Sequence, residues 1–395
     1  MNIDTLSQIR LSVIPIGIVI GLGYLNFALN YSLGYQEIYV HHSHGVAITL
    51  WCLSGLCQVV LFVYWVLILY IGPGKSPQLP LFDIYQEGNK DLLPLPDLFF
   101  CDEFGFPYYD SKSQSLRIER SFYSKYLGYN VLKFDHFCLW IGSSIGLTNY
   151  LFFLKFCIAF LSFFAIMLVY VSRYTRLSIN RGEINHNFIL LYIMSGFWIL
   201  CIGALFTSHV LYVCRDMTTL DDITIKQKVR YQRWKSRQRN DDGKTGGALN
   251  CLAPKSPRKE NGKRYVNVKK DDLRLVVEYD VTECPFNMGW KSNWINLVLN
   301  GNMARERSEQ YYTTARFIKA IIVLVIPFAE SPFELRRRKG YLDLENSLTG
   351  IERKISEFNF YSNDISPAFR KMIDEKIARK ECYIPSYFVA NTESR

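Results

Sequence analysis

The chain has 395 residues, of which 49% are hydrophobic and 15% aromatic, yet it carries 46 basic and 36 acidic side chains and a net charge of +10. Apolar and charged residues in such amounts must be segregated along the chain, and they are. Ten cysteines without one Cys-x-x-Cys pair leave no visible disulfide framework or zinc ribbon.

Taken in order, Leu11 to Tyr35 is uncharged for 25 residues and Val46 to Gly74 for 29, with Gln58 the strongly polar residue near the middle of the second run. Each exceeds the roughly 20 residues that cross a bilayer core. The first run is too long for a signal-peptide core and lacks a small-residue cleavage site, so it reads as a retained helix. Its Pro15, Gly17, Gly21 and Gly23 suit close helix packing in lipid. His41, His42 and His44 follow as a surface cluster rather than a metal site. A third span is expected from about Leu147 to Ser172, with Lys155 near its entry, and a fourth from about Asn187 to Cys214, with His209 towards its far end.

The predicted fold is therefore an α-helical integral membrane protein. Residues 1–74 supply an N-terminal tail and transmembrane helices 1 and 2, residues 75–149 a lobe, residues 150–214 transmembrane helices 3 and 4, and residues 215–395 a basic tail. Lys and Arg accumulate on cytosolic segments. The 36–45 connection has none, the 75–149 segment has seven, and the tail has 34 against 24 acids. This places the lobe, the tail and both termini in the cytosol, against the count from an Arg173, Arg176 and Arg181 loop on the far side.

Within the lobe, Phe134-Asp135-His136-Phe137-Cys138-Leu139-Trp140 sets a carboxylate, an imidazole and a thiol within four residues. In an extended backbone positions i and i+2 project the same way, so His136 can lie over Cys138 while Asp135 reaches the other ring nitrogen. That is the wiring of an activated thiol, in which the imidazole takes the proton, the carboxylate orients the ring and the thiolate attacks.

From Asp110 to Phe153 the sequence resembles the Asp-His-His-Cys (DHHC) family of protein S-acyltransferases, which palmitoylate cysteines of other proteins. Asp135, His136 and Cys138 fall on three of the four motif positions, and Arg120, Trp140, Gly146, Asn149 and Phe153 match in the same register. The resemblance is nearest to the fungal branch with Tyr as the third motif residue; here that residue is Phe137. It implies Cys138 as nucleophile carrying the palmitoyl intermediate, His136 as general base and Asp135 as its orienting partner. Trp140, Asn149, Thr218, Thr219, Asp221 and Asn293 take structural roles. Gly72-Pro73-Gly74 and Thr218-Thr219-Leu220-Asp221 stand where the family has Asp-Pro-Gly and Thr-Thr-x-Glu.

By the same register the family's zinc ligands fall on Asp110, Ser113, Tyr123, Ser124, Leu127, Asn130, Phe137 and Ser144, none of them Cys or His. A lobe without zinc is expected, held instead by a hydrophobic core of Tyr123, Leu127, Phe137 and the nearby Phe104, Phe106, Tyr108, Tyr109, Phe122 and Tyr126. The implied substrates are palmitoyl-CoA and proteins with membrane-proximal cysteines, in the plasma membrane or an endomembrane. Lys133 and Lys75 stand where they could meet the coenzyme's phosphates or serve as ordinary cytosolic charges.

In the tail, Lys226 to Lys270 holds fifteen basic residues against three acids and reads as a flexible stretch lying on anionic lipid, with no nucleic-acid role. Leu273 to Val281 alternates as a strand with Leu273, Leu275, Val277, Tyr279 and Val281 on one face. The apolar run Ala320 to Ala329 is too short to span and is expected to be buried or interfacial. A helix is plausible over Ile351 to Lys380. The rival readings are an acyl-binding or client-binding scaffold without catalysis, and a small transporter, for which Gln58 and His209 are the polar groups within spans.

Overall fold

The computed structural model describes residues 17, 20–85, 92–182, 185–241, 263–271, 273–300, 312–330, 365–385 and 387. The chain divides into two compact units. One comprises Met1–Pro73, Phe137–Leu211 and Thr314–Lys339, the other Gly74–His136, Tyr212–Thr313 and Gly340–Arg395.

The first unit is helical. Three of its helices are long and apolar enough to cross a membrane, His44–Ile71, Tyr150–Asn180 and His186–Arg215, the last ending within the second unit. Before them residues 20–41 are helical, and Ala28–Tyr39 is wound as a π-helix. The start of the expected first span, apart from Gly17 and Ile20, lies outside the described residues. This helix runs past Tyr35 through the segment expected to be a loop, leaving a connection of about two residues at His42 and Ser43. The reason is Glu37, whose side chain is 5% exposed and paired with Arg181 and His42, so a charge that would interrupt a span is neutralised in place.

Small residues let these helices approach. Ala28 and Ala47 are fully buried among Leu29, Leu33, Phe164 and Met167, and a side-chain carbon added at Gly34 would lie 2.5 Å from the Trp51 indole nitrogen. The third span is longer than expected, because Arg173 and Arg176 continue the helix as exposed side chains rather than forming a loop. Long basic side chains can lie along a helix end with their charge in water. The conflicting loop charge thus reduces to Arg181. The polar residues that favoured a transporter are satisfied locally: Gln58 donates to Asn26 at 2.7 Å, and buried His209 shares a 2.8 Å hydrogen bond with Tyr150.

The second unit is built on an antiparallel sheet in the order β1 (Leu98–Cys101), β8 (Lys263–Lys270), β9 (Leu273–Asp280), β10 (Cys382–Tyr383). Among its described residues the polybasic stretch holds the later part of helix Thr219–Asp241 and strand β8, where Tyr265, Val266 and Val268 sit between basic ends. Strand β9 does not present the single apolar face expected of it. Leu273 is exposed while Arg274, Val276, Val277 and Tyr279 are buried.

Both faces of the sheet are covered, which explains this. Helix Pro367–Ala378 packs Phe369 and Ile373 onto Val266, Val277 and Tyr279. On the other side Val276 meets the turn at Gly105, whose φ of +90° and proximity to Pro385 leave no room for a side chain. Arg274 is tolerated there because its guanidinium donates to the carbonyl of Pro96 at 2.6 Å and stacks on Phe99. The expected helix from Ile351 falls outside the described residues until Ile365, and what is described begins at Pro367 with Ser366 as its cap.

Short hairpins complete the lobe. Strands β2 (Tyr109–Asp110) and β3 (Ser115–Leu116) pair, as do β4 (Phe122–Ser124) and β5 (Tyr129–Val131). Strand β6 (His136–Cys138) pairs with β7 (Ser143–Ile145).

Candidate active site

Asp135 is 1% exposed, a position no lone carboxylate could hold. Its partners come from the first turn of helix Thr219–Asp241. The backbone N–H of Thr219 donates to Oδ1 and the Thr219 hydroxyl to Oδ2, both at 2.8 Å, while His136 Nδ1 lies 2.7 Å from Oδ2. A helix N-terminus favours an anion, and Oδ2 stands where it can accept a hydrogen bond from Nδ1–H. The remaining ring nitrogen, Nε2, is then the basic one. Strand β6 carries His136 and Cys138 two residues apart, and so on one face of the strand by its alternation. Cys138 is a buried free thiol.

The helix that grips Asp135 is itself capped reciprocally. Asp221 accepts from the N–H of Thr218 at 2.9 Å, and the Thr218 hydroxyl accepts from the N–H of Asp221 at 3.2 Å, which is the logic of a capping box with a shorter acid. Asp221 is held in turn by Arg120 Nε at 3.3 Å. The same guanidinium reaches the backbone oxygen and carboxylate of Asp216, which also pairs with Lys133, and lies 4.0 Å over the Phe286 ring. Burial opposes the charge on Arg120, but Asp221 and Asp216 outweigh it and raise its pKa further, leaving a permanent cation. Lys133 is thus occupied with Asp216.

Of the remaining expected residues, Asn149 and Asn293 hold backbone. Asn149 is fully buried, accepts from the N–H of Gly146 at 3.0 Å and donates to the carbonyls of Ser144 at 3.0 Å and Ile68 at 3.4 Å, tying β7 to the end of a span. Asn293, in helix Trp290–Leu299, donates to the carbonyl of Cys214 at 3.0 Å and accepts from the N–H of Met288. It satisfies a carbonyl near the end of helix His186–Arg215 that the helix itself cannot. Trp140 is 59% exposed and meets Trp198 edge to face at 5.5 Å.

A family profile described as DHHC palmitoyltransferase matches residues 103–226. A palmitoyltransferase PFA5 of Candida albicans is 51% identical over 380 residues, covering 96% of this chain and 93% of that protein. The chain belongs to the DHHC palmitoyltransferase family. Palmitoyltransferase PFA5 of Kluyveromyces lactis is 31% identical over 45% of this chain and 56% of its own length, and that of Saccharomyces cerevisiae 29% identical over 55% and 64%.

The eight positions expected to match the family's zinc ligands hold a single carboxylate, Asp110, and neither Cys nor His. Three of the eight are bonded to one another instead. Ser113 donates to Asp110 at 2.7 Å and Asn130 donates to Ser113 at 2.8 Å, while Tyr123 stands opposite Asn130 in the β4–β5 ladder. Burial pulls the Asp110 carboxyl upward, but hydrogen bonds from Ser113, Lys112 and Asn130 outweigh it and hold it below its ordinary range.

The hydrophobic core expected in place of the metal forms only in part from the residues named for it, with Tyr108, Phe122, Tyr123 and Phe137 half-buried. Phe104, Phe106, Tyr109 and Tyr126 are all exposed, and polar contacts hold the hairpins together where they would have packed. Chain spacing pointed to Asp135, His136 and Cys138 directly. Asp216, Tyr150 and Glu330 were not singled out for any role, since their partners lie from 59 to 175 residues away and no local pattern announces them, and Lys133, expected at the coenzyme's phosphates or as an ordinary charge, pairs with Asp216.

Proposed function

We propose that this protein S-palmitoyltransferase works through an acyl-Cys138 intermediate. The observation that carries the reading is the clamp on Asp135, which fixes the Nδ1 side of His136 and leaves Nε2 as the base on the face of strand β6 that Cys138 shares. His136 takes the Cys138 proton. The thiolate attacks the thioester carbonyl of palmitoyl-CoA, a tetrahedral oxyanion forms and collapses, and coenzyme A leaves as a thiolate that recovers the proton from His136. In the second half His136 deprotonates a membrane-proximal cysteine of a substrate protein. That thiolate attacks the Cys138 thioester, and Cys138 leaves and is reprotonated. Each half exchanges one thioester for another, and no metal enters either step.

The fuller arrangement belongs to the same proposal. The helix over residues 20–41 is the described part of a fourth span, the lobe and both termini lie in the cytosol of a plasma membrane or endomembrane, and the basic helix Thr219–Asp241 faces an anionic leaflet. Residues 1–74, 75–149, 150–214 and 215–395 act as first span pair, lobe, second span pair and tail. The lobe keeps its shape without zinc, which the Asp110, Ser113 and Asn130 hydrogen bonds support.

The test is autoacylation. Purified full-length protein is incubated with alkyne-tagged palmitoyl-CoA beside Cys138→Ser. A label that hydroxylamine removes and Cys138→Ser lacks is the expected result; a folded wild-type protein that binds acyl-CoA but stays unlabelled would leave only a scaffold. Metal analysis of the same preparation is expected to find no stoichiometric zinc, and two ions per chain would overturn that part of the reading.

A further inference from the structure

Helix Thr314–Val325 belongs to the same compact unit as the spans and divides into three faces. At 100° per residue, Ala320 and Leu324 fall together and are buried. Arg316 and Lys319 share a second, exposed face. Ile318, Ile322 and Val325 form a third that is apolar and exposed at 54%, 49% and 58%. The apolar surface continues into Ile326 and Phe328, each 50% exposed. Five large apolar side chains in water over eleven residues would be an aggregation liability, so this face has an occupant.

The depth of the segment identifies it. After the helix the chain turns at Phe328, whose φ is +58°, and Glu330 pairs with the Lys155 ammonium of the third span, both side chains being under 5% exposed. Lys155 also donates to the carbonyl of Ile326 at 3.0 Å, and Tyr64 of the second span accepts from the N–H of Phe328 at 3.0 Å with the two rings stacked. Lys155 is the sixth residue of its helix and Tyr64 lies seven before Ile71, so these ties sit about 8 and 10 Å inside the span ends. That is the depth at which interfacial helices bury their apolar face, about 5–10 Å into the boundary between headgroups and acyl chains. The exposed apolar surface of the second span, Phe62, Val66, Leu69 and Tyr70, extends over the same stretch.

We propose that Thr314–Glu330 is a lipid-binding element at the bundle end that carries Ile71 and Tyr150. Ile318, Ile322, Val325, Ile326 and Phe328 sit among phospholipid acyl chains, Arg316 and Lys319 lie at the level of the phosphates, and the Lys155–Glu330 pair fixes the depth. The proposal rests on membrane residence of the bundle and not on the chemistry of Cys138.

Full-length Ile318→Cys, Ile322→Cys and Lys319→Cys proteins in phospholipid nanodiscs test it, with labelling read peptide by peptide in a mass spectrometer so that native cysteines do not interfere. A charged maleimide is expected to label Lys319→Cys at least tenfold faster than Ile318→Cys or Ile322→Cys, and an uncharged membrane-partitioning maleimide to reach all three. Equal rates with the charged reagent would put the apolar stripe in water and overturn the proposal. Protection of Ile322→Cys from both reagents would overturn it in favour of a protein partner.

Discussion

Lys155 and Arg120 are both buried, at 2% and 9% exposure, and both draw carboxylates from far along the chain, yet they are satisfied differently. The ammonium of Lys155 donates to the Ile326 carbonyl and the Tyr64 hydroxyl and forms an ion pair with one carboxylate, that of Glu330. Arg120 spreads a planar fork over two carboxylates, a backbone oxygen and a ring. A point charge with one counter-ion works as a latch; a fork with two orders several segments together, among them the helix turn that holds Asp135.

Replacing each cation sharpens this contrast. Arg120→Ala takes the guanidinium from Asp221 and leaves Asp216 to Lys133, and is expected to have the largest effect, about 3–5 kcal/mol of stability, with autoacylation falling more than a hundredfold. Arg120→Lys recovers a minor part, since an ammonium cannot both bridge the acids and stack on Phe286. Thermal melting with single-turnover acylation reads both, and equal recovery by Lys would remove the fork argument. Lys155→Met orphans Glu330 and is expected to melt several degrees lower, while Lys155→Met combined with Glu330→Gln regains most of the loss. A double variant no better than the single one would mean the pair is not a latch.

Smaller effects probe the clamp and the zinc-position network. Thr219→Val removes one hydroxyl donor from Asp135 and is expected to slow acylation about tenfold and to displace its pH profile, with melting little changed. An unchanged profile would show that the hydroxyl is merely structural. Asp110 has a folded-state pKa below its unfolded value of about 3.9, so its contribution is present above that value and is lost as pH falls through the folded pKa. Wild type and Asp110→Ala are therefore expected to differ in stability at pH 5 and to converge on strong acidification; a gap that persisted there would place the effect elsewhere than in the charge.

What could be read from the sequence follows from how local each signal is. Asp135, His136 and Cys138 stand within four residues on one strand, and their relation follows from strand alternation alone. The spans were legible because lack of charge over some 25 residues has few other meanings. Strand β8 was hidden by its basic ends, Lys263, Arg264, Lys269 and Lys270, which merge with the surrounding charge. Glu330 is one of 24 acids in the tail, and only the fold pairs it with a lysine 175 residues earlier. The polar bonding of Asp110, Ser113 and Asn130 was missed because the aromatic residues around them suggested apolar packing, whereas the three side chains bond to one another.

The π-helix at Ala28–Tyr39 stacks Phe27, Tyr31, Tyr35 and Tyr39 in one ladder, with ring centroids 5.3 to 5.9 Å apart. Residues four apart lie close to one turn from each other, which lets successive rings stack along the helix. A π segment is equivalent to an α-helix with surplus residues inserted. For sequence divergence this makes the segment a reservoir of length. We expect loss of one residue there to tighten a turn and misalign the rings, while Glu37 keeps its reach to Arg181, and a one-residue deletion judged by thermal melting would measure how much of that slack the fold can give up.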